Sequence, residues 1–164
     1  ILGPETEYII TMRHPIASAI STYEKSTGLT ADGKFNVRGN IEEWARRDVA
    51  FITGMSNEQI FERDYFDTYL EYWVDYHCNL ASTGLLASPK VTAIAYGEDR
   101  YMAFVKNLYK RFDTKGKPEQ FQVFDKRDRH PEWNARADKG IAHVAAAWKL
   151  AGKEFPVDEI MEQW

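Results

Sequence analysis

A second cysteine is missing: Cys78 stands alone, so no internal disulfide can form. An excess of positive charge is missing too, since the formal net charge is −4 over 164 residues. Nucleic acid and acidic membrane surfaces are therefore not expected partners, and any basic site must be local. No apolar run approaches the ~20 residues that a membrane-spanning helix needs, and no repeat or low-complexity tract breaks the sequence. No secretory leader pattern is seen. With the lone cysteine, this gives a cytoplasmic location as the expectation. His130 and His143 have no partner at metal-ligand spacing, and His77 beside Cys78 is not a zinc pattern, so no metal is expected.

What is present suits a packed globular chain: 44% hydrophobic and 14% aromatic residues. One domain over residues 1–164 is expected. Tyr8 to Met12 is a β-prone, nearly continuous apolar run, as in a parallel strand covered on both faces. Pro15 opens a helix with Ile16, Ile20 and Tyr23 on its buried stripe. Gly28 to Gly39 reads as a loop. Asn40 caps a helix carrying Ile41, Trp44, Ala45 and Ile52, and a further helix starts at Ser56 or Asn57. Asp64 to Leu80 places Phe66, Leu70, Trp73 and His77 at helical spacing, with Tyr65, Tyr69, Tyr72 and Tyr76 beside them. Lys90 to Tyr96 alternates as a second strand. Asp99, capping at Arg100, begins an amphipathic helix built on Met102, Val105, Leu108, Tyr109 and Phe112. Asp113 to Asn134 is loop-like, and Ala137 to Lys153 forms a last long helix with Ile141, Val144, Ala145 and Trp148 inward. Two strands separated by helices imply a parallel pair with a long crossover. Two strands alone make a poor sheet. The expected fold class is α/β: a parallel sheet covered by helices, incomplete here. Together with the start at Ile1, almost on a strand, this is the expectation for a portion of a longer protein.

The most informative stretch runs from Tyr8 to Tyr23. A strand ends at Arg13, turns at Pro15 and enters a helix that carries Ser21 about two turns in, at roughly 3.6 residues per turn. A strand-end arginine beside a helix start favours an anion, and an arginine fork with a hydroxyl can grip one phosphate group. An ordinary strand-to-helix turn with a solvent-facing arginine is the other reading.

This segment resembles the 3′-phosphate-binding motif of the PAPS-dependent sulfotransferases, in which Arg-x-Pro is followed by a serine eight residues after the arginine. Arg13, Pro15 and Ser21 match that pattern, and Ser21-Thr22-Tyr23 is similar to its Ser-Tyr-Tyr continuation. Tyr96-Gly97-Glu98-Asp99 resembles the family's later Tyr-Glu-Asp signature, with Gly97 as an insertion. The resemblance covers roughly Ile1 to Phe112. It implies a P-loop-type α/β fold and a sulfotransferase that moves a sulfuryl group from PAPS to a hydroxyl or amine of a small-molecule or carbohydrate acceptor. It implies that Arg13 and Ser21 contact the donor's 3′-phosphate and that Tyr96 lies near adenine, with no metal required. The family's basic-glycine loop has only Arg136-Ala137-Asp138-Lys139-Gly140, or the cluster Lys126, Arg127 and Arg129, as candidates; a solvated charged loop is the plainer reading of both.

No glycine-rich loop with lysine precedes the Arg13 strand, and Gly28 to Lys34 follows no strand. The donor's 5′-phosphosulfate thus has no cradle in the chain. No catalytic residue is assigned. His14 is expected to orient locally or face a neighbouring loop, and His77 to be a satisfied core or rim histidine. Cys78 would act as a nucleophile only with an arranged base. The tyrosines from Tyr65 to Tyr76 either pack the core or line an acceptor pocket. Two other classes remain open: another phosphate-handling α/β enzyme, such as a nucleotide kinase relative, and a non-enzymatic helical interaction module. The acceptor and the oligomeric state are not given by the sequence. One outcome follows from the missing cradle. The 164-residue chain alone is expected to transfer essentially no sulfate from PAPS to phenolic, sugar or amine acceptors in a radiolabel assay, and measurable transfer would refute this.

Overall fold

The computed structural model describes residues 6–26, 45–116, 130–162 and 164. Among them the architecture is α/β: mostly helical, with one two-stranded parallel sheet. Strand β1 (Tyr8–Met12) pairs in parallel with β2 (Val91–Ala95), Tyr8 opposite Val91 and Met12 opposite Ala95. Ile10 and Met12 are buried while Ile9 and Thr11 are exposed, so β1 has one core face rather than two covered faces.

Helix α1 (Pro15–Ser26) starts as expected, with the fixed φ of proline at its first position. His14 closes its first turn: the Ile16 N–H donates to His14 Nδ1 at 3.3 Å, and the Ser18 N–H to the His14 carbonyl at 3.0 Å. Ile16, Ala17, Ala19 and Ile20 are buried. The Gly28–Gly39 loop, the Asn40 cap, Ile41 and Trp44 lie outside the described residues. A π-helical turn (Ala45–Val49) runs into α2 (Ala50–Thr53), where Val49 is the buried residue and Ile52 only half-buried. Gly54 ends α2 in the left-handed region at φ 73°, a conformation that favours glycine.

Ser56 caps α3 (Asn57–Glu62) through a reciprocal pair with Gln59. Asp64 caps α4 (Tyr65–Ser82), accepting from the Phe66 and Asp67 N–H groups. Its 3.6-residue period turns Phe66, Tyr69, Trp73, His77 and Ala81 inward. Gly84, also left-handed at φ 74°, turns the chain through a 3₁₀ segment (Leu85–Ala87) toward β2.

Helix α5 (Glu98–Arg111) corrects two expectations. Asp99 does not cap it: extended Gly97 occupies the cap position, and Glu98 and Asp99 sit in the first turn, where acids still suit the dipole. The apolar stripe is not fully buried, and Phe112 is 66% exposed. The helix lies at the periphery, tied by Arg111 to Glu7 and by Arg100 to Glu162.

Helix α6 (Asn134–Leu150) begins three residues before its expected start and buries Ala137, Gly140, Ile141, Val144 and Trp148. The Arg136–Gly140 stretch is therefore helix, neither a basic-glycine loop nor a solvated one. Arg136 pairs with Asp64 and Asp67 and lies 5.2 Å over the Phe66 ring. Lys126, Arg127 and Arg129 lie outside the described residues. After Pro156, α7 (Val157–Met161) buries Ile160. One core joins the inner sheet face to α1, α4, α6 and α7, with Trp148 and Phe66 fully buried in it. No helix among the described residues is long and apolar enough to cross a membrane.

The α4–α6 packing depends on a missing side chain. A Cβ at Gly140 would stand 2.8 Å from Leu70 Cδ1 and 3.1 Å from Val74 Cγ2. Gly140→Val is expected to destabilise the fold by about 1–3 kcal/mol through overpacking, read as a lowered urea midpoint with unchanged slope.

Candidate functional site

Ligands of parallel α/β sheets bind beyond the C-terminal ends of the strands. Here those ends carry Arg13 after β1 and Tyr96 after β2. The Tyr96 N–H donates to the Met12 carbonyl at 2.6 Å, extending the ladder one step past the strands. That step sets Arg13 beside Tyr96 on one face, with the guanidinium 4.6 Å from the ring centroid. Such a contact contributes ~0.5–2 kcal/mol, depending on desolvation. Arg13 is half-buried and no carboxylate pairs with it among the described residues.

Both side chains open onto a cavity of about 300 Å³. Thr11 joins them from β1 and Ser18 from α1, while Tyr69, Tyr72, Trp73, Tyr76 and His77 form a wall from α4. The lining holds one full positive charge, no carboxylate and six hydroxyl-bearing side chains. This composition suits an anion, and the aromatic wall suits a flat apolar group.

The electrostatics keep the wall neutral. Burial pushes the Tyr69 phenol up to about 12, and the hydroxyls of Ser18 and Thr22 pull it partly back. Tyr69 therefore stays protonated near neutral pH. Burial, then Asp48 and Tyr76, raise the Tyr72 phenol as well. His77 is 3% exposed, and burial drops its imidazole to about 4. Its ring lies 4.6 Å from that of Trp73, 5.2 Å from Tyr76 and 5.6 Å from Phe155. The Trp148 indole N–H donates to the His77 carbonyl at 3.1 Å. His77 Nδ1 has no hydrogen-bond partner among the described residues. The satisfied core histidine expected from the sequence is thus a core residue with one orphaned nitrogen, in the cavity wall.

The expected site residues separate. Arg13 and Tyr96 come together. Ser21, half-buried on α1, does not line this cavity, and Ser18, about one turn earlier, does. His14 adjoins Arg13 in sequence but alternation sends it to the opposite face. It is 0% exposed and stacks on Trp164 at 4.9 Å, and burial lowers its imidazole to about 4. Cys78 is half-buried, and burial followed by Asp75 raises its thiol, which disfavours the nucleophilic thiolate. The described residues contain no group of three His, Cys, Asp or Glu side chains able to hold a metal ion. Sequence reasoning passed over Ser18 and Thr11. Strand alternation from Arg13 points to Thr11, and the first-turn hydroxyl after Pro15 points to Ser18.

No family of known proteins matches the chain, and neither does any curated protein or solved structure.

The two buried histidines make stability pH-dependent. Each is neutral in the fold down to about pH 4, whereas an unfolded imidazole takes a proton below about 6.5. Their contribution is fully present above the unfolded value and is lost as pH falls toward the folded one. Between pH 7 and pH 5 roughly 2 kcal/mol should vanish per histidine, at ~1.4 kcal/mol per pH unit. Urea unfolding at the two pH values should show the drop, and His77→Phe should shrink it; an equal drop in that variant would refute the assignment.

Proposed function

We propose that this chain is the nucleotide-side portion of a PAPS-dependent sulfotransferase with a P-loop-type α/β sheet. The observation that carries the reading is Arg13, uncompensated by any carboxylate among the described residues, stacked 4.6 Å from Tyr96 where two parallel strands end. A half-buried arginine without an acid gains from an anion that completes its hydrogen bonds. In the proposal that anion is the donor's 3′-phosphate, with a hydroxyl from α1 as second partner. Tyr96 then stands beside the adenine.

The activity proposed for the complete site is in-line passage of a sulfuryl group to an acceptor hydroxyl or amine. The leaving group would be the 5′-phosphate of adenosine 3′,5′-bisphosphate. This chain's contribution is to hold the nucleotide end and fix its position, which lowers the entropic cost of reaching the reactive geometry. The neutral phenols of the α4 wall add hydrogen-bond donors without competing negative charge. A small-molecule or carbohydrate acceptor remains the proposed second substrate.

Calorimetry with adenosine 3′,5′-bisphosphate tests the reading. Arg13→Ala should weaken binding by about 1.5–3 kcal/mol, the size of a lost charge-assisted hydrogen bond. Preference for magnesium-ATP would favour a kinase relative instead. No nucleotide binding by the folded protein would favour a non-enzymatic interaction module.

A further inference from the structure

We infer that Ser18, and not Ser21, is the hydroxyl that joins Arg13 on the bound anion, and that the cavity takes a phosphate monoester carried next to a flat ring. The inference deepens the proposed function and rests on it only for the nucleotide as natural ligand; the anion site stands on its own geometry.

A helix start beside an arginine would ordinarily offer backbone N–H groups to an anion. At α1 most of them are committed. Pro15 has none, the Ile16 N–H goes to His14 Nδ1 at 3.3 Å, and the Ser18 N–H goes to the His14 carbonyl at 3.0 Å. Side chains must therefore supply the grip. Among the described residues Arg13 is the sole cation of the cavity lining, and no acid lines it to compete.

The second donor must come from a hydroxyl on the same wall. Ser18 lines the cavity and Ser21 does not. Three residues along a helix turn a side chain by about 60° from eclipse and carry it ~4.5 Å up the axis, which separates the two serines. Ser18 and Thr22, one helical turn apart, both hydrogen-bond the Tyr69 phenol, so Ser18 belongs to a patch of linked hydroxyls. Half-burial means that its hydrogen bond to an anion meets less competition from water.

The ring follows from the α4 wall. Tyr72, Trp73 and Tyr76 offer aromatic surface within the same 300 Å³. That volume is at the small end of ligand pockets, about 300–1,000 Å³. It suits one charged group and one ring.

The test uses two probes, phenyl phosphate and adenosine 3′,5′-bisphosphate, titrated calorimetrically into the protein and into Arg13→Ala, Ser18→Ala and Ser21→Ala. Thermal melts by circular dichroism check folding. Ser18→Cys, close in size with a weaker donor, carries the comparison should Ser18→Ala melt early. Roughly tenfold or greater weakening of phenyl phosphate in Ser18→Ala, with Ser21→Ala unchanged, is the expected result. Weakening in Ser21→Ala alone overturns the inference and leaves the sulfotransferase reading intact. Phenyl phosphate binding that needs Arg13 and Ser18, with no nucleotide binding, upholds the inference and removes that reading. Binding of neither probe to the folded protein overturns the anion site itself.

Discussion

The parallel register of β1 and β2 decides where this chain can present chemistry. Running the same way, both strands end on one side, and residues at the same step share a face. Arg13 and Tyr96 each follow the last paired residue, so they meet there. An antiparallel pairing would have put them at opposite ends of the sheet. A slip by one residue would have turned Tyr96 to the other face. The hydrogen bond from Tyr96 to Met12 adds a backbone tie at the step where the side chains touch. The site is thus a product of pairing geometry before it is a product of side-chain chemistry.

Helix α4 supplies the remaining order because it serves two neighbours. Phe66, Trp73 and Ala81 fill the core, while Tyr72 and Tyr76, offset around the helix, stay partly open toward the cavity. Phenols suit this double duty: a large apolar body packs, and a polar tip remains available. His77 sits where the two roles meet. A charged imidazole among Trp73, Trp148 and Phe155 would be costly to desolvate, so the neutral form prevails. The Trp148 indole holds α6 to α4 at the same point, bracing the wall from behind.

Much of the architecture was legible in the sequence because it rests on local signals. The strand from Tyr8 to Met12, the proline-led helix after it, the Ser56 start and the long aromatic helix announce themselves through β-branched runs, caps and a 3.6-residue period. The pairing of Arg13 with Tyr96 was only implicit, since two motifs far apart in sequence meet through a register that no local pattern encodes. Spacing along α1 suggested Ser21, yet the cavity admits Ser18, because direction around a helix depends on how the helix docks. The Asp99 cap failed for a smaller reason: Gly97 is extended and takes the cap position two residues sooner. The resemblance offered Arg136 to Gly140 as a basic-glycine loop, although helical periodicity already ran from Ala137; Gly140 serves close helix packing and Arg136 its pairs with Asp64 and Asp67.

The two strands lie far apart in the chain, with α1 to α4 between them. Their pairing closes a long loop, and that entropic cost must be met before the contacts between the strands repay it. A partly folded molecule can hold the aromatic face of α4 without any cation set against it. The Arg13–Tyr96 contact therefore marks chains that have finished their topology. Interactions made only at that stage govern how slowly the native state opens rather than how fast it is reached. A ligand resting there would lengthen the lifetime of the fold and leave its rate of formation nearly untouched.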